Sequence, residues 1–127
     1  MVNLDLAKYK NLYLQTARDH IIDLKKNLAL LDANPTDKQI IYEVFRLFHS
    51  LKSQNYFMGF EQTAHFCKTL EVYMRKINEG ELIYQPALSH LILEVITKLE
   101  NSLVSIEKEN KEIDLSSDII SLENTLV

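Results

Sequence analysis

Apolar residues recur three and four positions apart along almost the whole chain, and only two glycines and two prolines are available to interrupt them. That spacing lays one apolar stripe along each of several successive helices; strands would need strict alternation and many tight turns. The first segment spans about residues 4–31, with Tyr9, Tyr13, His20, Leu24, Leu28 and Leu31 on its stripe, and Asp32-Ala33-Asn34-Pro35 breaks it. Thr36-x-x-Gln39 then has the form of a capping box, with Pro35 fixing the approach. The second segment, about 37–57, carries Ile41, Val44, Phe45, Phe48 and Leu51, and Gly59 marks its end. The third, about 60–78, carries Phe60, Ala64, Cys67, Leu70, Met74 and Ile77, and Gly80 suits a left-handed terminus. Pro86 suits the first turn of a fourth segment, running to about 106 with Leu88, Leu91, Ile92, Val95, Leu99 and Leu103. Ser116 or Ser117 is placed to cap a last short helix holding Ile119, Ile120, Leu122 and Leu126. Only mutual packing hides four such stripes, so the expected fold is all-α: an antiparallel four-helix up-and-down bundle with an extra short C-terminal helix. Residues 1–106 are expected to form the bundle. Residues 107–127 are read as a charged linker, Glu107 to Glu112, followed by that helix.

The 127 residues suit one domain with a real core. A formal charge of −4 leaves no electropositive footprint, which argues against a nucleic-acid binder. The charge is uneven: residues 1–60 hold eight Lys/Arg against six Asp/Glu, and residues 61–127 hold six against twelve. The basic excess therefore surrounds the second segment and suits an acidic partner. Cys67 has no second cysteine to pair with, and no Cys pair at zinc spacing exists. The start, Met-Val-Asn-Leu-Asp, has no cationic region and apolar run, and no stretch has the length of a membrane helix. A cytoplasmic location and no membrane association are expected.

One histidine stands out. Taken as a wheel at about 100° per residue, the second helix centres its apolar stripe near Val44 and Phe48, with His49 about 120° away on the flank. Lys52 and Ser53 follow at offsets three and four, on the same face. A half-wet imidazole beside an ammonium group suits nucleophilic chemistry. Neutral imidazole is available because its ordinary pKa is about 6.5. One ring nitrogen can attack a phosphoryl group while the other donates its proton to an acceptor that fixes the tautomer. Lys52 can screen the incoming phosphate charge. In the third helix Glu71 lies within about 50° of the stripe. A buried carboxylate there needs a partner, and an antiparallel hairpin would bring it level with His49.

The run Phe45-Arg46-Leu47-Phe48-His49-Ser50-Leu51-Lys52, then Met58-Gly59-Phe60-Glu61, Leu70-Glu71 and Gly80-Glu81-Leu82, closely resembles the histidine-containing phosphotransfer family. It is most similar to the N-terminal phosphoacceptor domains of chemotaxis histidine kinases, the CheA type, over about residues 5–106. The resemblance implies that His49 is the phosphoacceptor, modified at its outer ring nitrogen. It implies that Lys52 is the lysine beside it, Glu71 the glutamate bound to its inner nitrogen, and Gly59 the glycine of the connecting turn. The donor would be an ATP-using kinase domain or a receiver phospho-aspartate, and the acceptor a receiver aspartate. Magnesium would belong to those partners, so no cofactor is expected here. Two positions depart from the family pattern: Ser53 replaces the usual glycine after the lysine, and Lys68 replaces a common histidine. Ser53, Gly59 and Lys68 are therefore assigned to partner docking. The chain has no ATP-binding motif and should not phosphorylate itself alone. As an isolated domain it is expected to be a monomer.

Two other readings compete. A non-catalytic docking module would keep the bundle without phosphoryl flow, as Ser53 and Lys68 allow, but the retained His49 argues against it. A di-iron bundle would need Glu-x-x-His pairs. The residues three before His20, His49, His65 and His90 are Ala17, Arg46, Gln62 and Ala87, so no metal is expected. His20, His65 and His90 are read as structural, and Cys67 as core.

Overall fold

Residues 6–126 are described in the computed structural model of the chain, and five α-helices hold most of them. They are α1 (Leu6–Ala33), α2 (Lys38–Met58), α3 (Glu61–Asn78), α4 (Ser89–Glu109) and α5 (Ser116–Leu126). Residues 4 and 5, where the first helix is expected to begin, lie outside the described residues. The first four helices form the antiparallel bundle. The most extensive contact is between α2 and α3, α1 lies against both α2 and α4, and α5 packs on α3. No described helix is long and apolar enough to cross a membrane.

The α2–α3 hairpin positions the site, and its ends explain its geometry. Asp37 opens α2: its carboxylate accepts from the Gln39 and Ile40 amides at 3.0 and 3.2 Å. The expected Thr36 capping box is thus corrected by one residue. Asp and Thr both cap well, and the aspartate carries the charge that favours a helix N-terminus. Gly59 closes α2 at φ 85°, with its own amide and that of Phe60 returning to carbonyls of the last turn. Only a residue free of a Cβ adopts this conformation without strain. The turn is so short that α3 must run back beside α2.

The core contains Val44, Leu47, Phe48 and Leu51 of α2 and Phe66, Cys67, Leu70 and Met74 of α3, all buried. Phe45, expected on the stripe, is only partly buried, and Leu47 replaces it. The α1 stripe is also corrected. Tyr9 is exposed and His20 half-buried, while Leu14, Ala17 and Ile21 join Tyr13, Leu24, Leu28 and Leu31 inside. Pro86 begins a 3₁₀ turn, Pro86–Leu88, that leads into α4.

The charged stretch after residue 106 begins as helix and then makes contacts back to the bundle. α4 continues to Glu109 and ends at Asn110, in the left-handed region at φ 59°. Glu107 accepts from Arg18 at 2.9 Å, and Asn110 accepts from Lys10 at 2.6 Å. Asp114, rather than a serine, accepts from the Ser116 amide at the start of α5. Leu115, Ile119 and Leu122 of this end are buried with the bundle core, while Ile120 is exposed.

Candidate functional site

His49 sits on α2 between the buried Phe48 and half-buried Ser50, with its side chain 52% exposed. Glu71 faces it from α3 with a side chain only 5% exposed, since its position borders the buried Leu70 and Met74. His49 Nδ1 meets Glu71 Oε2 at 2.5 Å, and Lys52 Nζ meets Glu71 Oε1 at 2.9 Å. One carboxylate thus holds two residues of the facing helix, one turn apart. The sequence-predicted trio of His49, Lys52 and Glu71 is brought together in this way.

Burial pushes the Glu71 carboxyl pKa up, but hydrogen bonds and charge from His49 and Lys52 outweigh it, leaving the group below its ordinary 4.5. Glu71 is therefore a carboxylate at neutral pH, and its Oε2 can only accept. Against neutral imidazole this places the ring proton on Nδ1, and the lone pair lies on Nε2. The Phe45 ring stands 6.3 Å from the imidazole, centre to centre, tilted by 32°. A polarised ring with one free, solvent-facing nitrogen can act as a nucleophile toward an electrophile brought from outside.

The docking candidates lie apart. Ser53 is exposed one turn beyond His49. It borders an apolar groove of about 330 Å³ between α1 and α2, lined also by Tyr9, Leu12, Phe57 and Met58. Phe57 is 77% exposed there. Sequence reasoning missed this groove: it puts Tyr9 on the buried stripe of the first helix, and only Phe57, an aromatic off the stripe of α2, signals an exposed apolar surface there. Gly59 forms the turn at the end of the same helix. Lys68 is exposed and lines the groove between α3 and α5 with His65 and Glu123. Among the described residues no hydrogen bond or ion pair links it to the His49 cluster. His65 pairs with Glu123 at 3.1 Å, and Cys67 is buried, which raises its thiol pKa. Among the described residues, no three His, Cys, Asp or Glu side chains converge as a metal site would need.

The family model for the Hpt domain matches residues 8–102. Chemotaxis protein CheA of Bacillus subtilis is 27% identical over 103 residues, covering 81% of this chain and 15% of that protein. Chemotaxis protein CheA of Listeria monocytogenes is 27% identical over 117 residues, covering 91% of this chain and 19% of that protein. The chain therefore spans less than a fifth of either relative's length. Among solved structures, the solution structure of the histidine phosphotransfer domain of CheA superposes with a TM-score of 0.86. It shares 26% identity, over 95% of this chain and 90% of that one. The CheA phosphotransferase domain from Thermotoga maritima gives 0.76 at 27% identity, over 80% and 96%.

Proposed function

We propose, from the premise that this chain belongs to the Hpt domain family, that it carries a phosphoryl group on His49 between a histidine-kinase catalytic domain and a receiver domain. The observation that carries the reading is the His49 Nδ1–Glu71 contact, which leaves Nε2 as the free, exposed nucleophile.

In the loading step the Nε2 lone pair attacks the γ-phosphorus of ATP held by the kinase domain. An N–P bond forms and the bond to the bridging oxygen breaks, its electrons leaving with ADP. Nε2 carries no proton, so none must depart before attack. The ring gains positive charge as the bond forms. The Glu71 carboxylate stabilises that charge through the Nδ1 proton, which is electrostatic assistance aimed at where charge develops. In the unloading step a receiver aspartate oxygen attacks phosphorus, and the N–P electrons return to Nε2. Lys52, held one turn away, swings from Glu71 Oε1 toward the phosphoryl oxygens and screens their charge. Magnesium serves the partners' sites.

Ser53 and the apolar groove beside it form the face on which the partner domains dock, with Gly59 shaping its end and Lys68 adding a cation on α3. Whatever longer protein the chain serves, a CheA-like kinase is the reading that the similarities in order and spacing support. We locate this work in the cytoplasm, where ATP and both partners act and where a lone free thiol such as Cys67 persists.

The test is incubation with a CheA-type kinase domain and labelled ATP. Wild type should take up acid-labile, alkali-stable label, and His49→Gln should take up none while keeping its helical spectrum. Equal labelling of the two proteins would sink the assignment. Tight receiver binding without labelling would favour a docking module instead.

A further inference from the structure

The first turn of α3 has no cap of its own. Its N-cap residue is Phe60, which offers no side-chain acceptor, so the amides that begin the helix need partners from elsewhere. Glu112, in the segment that leaves α4, supplies them. Its carboxylate accepts from the Thr63 amide at 2.7 Å, the Gln62 amide at 3.3 Å and the Thr63 hydroxyl at 2.6 Å. Thr63 Oγ1 also lies 3.0 Å from Ser102 Oγ on α4, and both side chains are buried. Gln62 returns the contact by accepting from the Leu115 amide at 2.7 Å. The start of α3 is thereby clamped to α4 and to the chain that follows it. Glu112 and Leu115 both lie beyond the residues matched by the family model.

We propose that Glu112 is a positioning residue for the chemistry at His49: by gripping the first turn of α3 it sets the roll of the helix that presents Glu71. The inference rests on the phosphoryl-carrier reading. Glu71 lies eight residues past Thr63, about 12 Å farther along a rigid helix. A roll of about 20° moves a side-chain tip at a radius of about 5–6 Å by about 2 Å. That displacement breaks the 2.5 Å contact with His49. Contact with α2 and α5 holds α3 along its length, and the Glu112 clamp adds a hold on its first turn from the α4 side, where a roll would begin. Losing it frees Glu71 to follow Lys52 or solvent, and the imidazole proton is then no longer held on Nδ1.

The experiment compares wild type, Glu112→Gln, Glu112→Ala and the distant core control Ile92→Val. Two-bond proton–nitrogen NMR reads the His49 tautomer, and labelled ATP with a CheA-type kinase domain reads phosphorylation. Glu112→Ala should shift His49 from the Nδ1–H form toward a mixture and slow labelling roughly 10–100-fold, up to the loss that a misplacement of about 1 Å can cause. Glu112→Gln, which keeps one acceptor oxygen and the same shape, should fall between and remains informative if the alanine variant does not fold. Ile92→Val should lower the melting temperature and leave the tautomer unchanged. A folded Glu112 variant with the wild-type tautomer and rate overturns the proposal, as does an equal tautomer shift in Ile92→Val. The two readings fail separately. If wild type is not labelled on His49 the carrier reading falls, and the tautomer comparison still judges the clamp.

Discussion

Replacing Glu71 with glutamine keeps the shape of the side chain but gives it one acceptor and one donor where it had two acceptors. Both oxygens are in use, one on His49 Nδ1 and one on Lys52 Nζ. An amide oxygen placed toward one of them leaves its NH₂ facing the other. If the oxygen stays on the ammonium, the NH₂ faces His49, and the ring must turn Nδ1 into an acceptor and move its proton to Nε2. Hydrogen bonds to charged groups contribute about 1.5–3 kcal/mol and neutral ones about 0.5–1.5. The lysine therefore wins the oxygen by about 1–1.5 kcal/mol, which leaves roughly one molecule in ten with the reactive tautomer. A second loss comes from the charge. At about 4 Å and an effective dielectric near 20, a carboxylate stabilises a cationic ring by about 4 kcal/mol. Because His49 is half exposed, solvent screening reduces this to about 1.5–2.5 kcal/mol, a further factor of about 10–100.

Glu71→Gln should therefore slow phosphoryl acceptance about 10²–10³-fold at saturating kinase domain, with the ring visibly in the Nε2–H form by two-bond NMR. The two measurements test different links. A rate within about threefold of wild type would refute the electrostatic argument. A His49 ring still protonated on Nδ1 would refute the assignment of the amide oxygen to Lys52. Adding Lys52→Met separates the two effects, since removing the ammonium frees the new amide oxygen for His49. In that double variant the tautomer should return while the charge-dependent part of the loss stays.

Three other outcomes are expected. Because the Glu71 pKa is lower folded than unfolded, its ionised form stabilises the fold above the ordinary value near 4.5, and that contribution disappears as pH falls through the folded value; the stability difference between wild type and Glu71→Gln in urea should therefore be constant near neutrality and shrink below about pH 4.5. Asp37→Ala should cost about 1 kcal/mol, seen as a fall in melting temperature of about 3–6 °C, whereas Thr36→Ala should leave it unchanged, because Asp37 makes the α2 cap. Gly59→Ala should cost about 1 kcal/mol through its positive φ, and because an added Cβ meets nothing within 4 Å, the fall in melting temperature should come from backbone strain alone, with the helical spectrum unchanged.

How much of this was legible follows from which interactions are local. The period of the apolar residues located four of the helices to within a few positions, and the wheel put His49 on the wet flank of α2 and Glu71 near the buried edge of α3, where the structure has them. These are properties of one helix at a time. The errors arise where two helices share a residue or where neighbours compete. Thr36 and Asp37 are adjacent cap formers, and the pattern alone does not rank them. α1 packs on both α2 and α4, so its buried arc is rotated toward Leu14, Ala17 and Ile21 and leaves Tyr9 outside. The charges from Glu107 to Glu112 read locally as a solvated stretch. Their partners lie on α1 and α3, 49 residues away in the case of Glu112 and Thr63, and no periodicity reports such a pairing.

The arrangement also explains why the exposed imidazole and the carboxylate that holds it come from different helices. A histidine and a glutamate on one helix at offset four would share exposure, so a wet imidazole would be held by a wet, strongly screened carboxylate. Setting Glu71 on α3 at the edge of the core allows 5% exposure beside a ring that is 52% exposed. The carboxylate then acts through a less polar medium on Nδ1, while the ring itself stays half exposed. The cost of burying Glu71 is offset by the hydrogen bond from His49 and by Lys52, which neutralises it from the same face. Removing the lysine alone should therefore weaken the hairpin as well as the phosphate site, and Lys52→Met should be less destabilising in the Glu71→Gln background than in wild type.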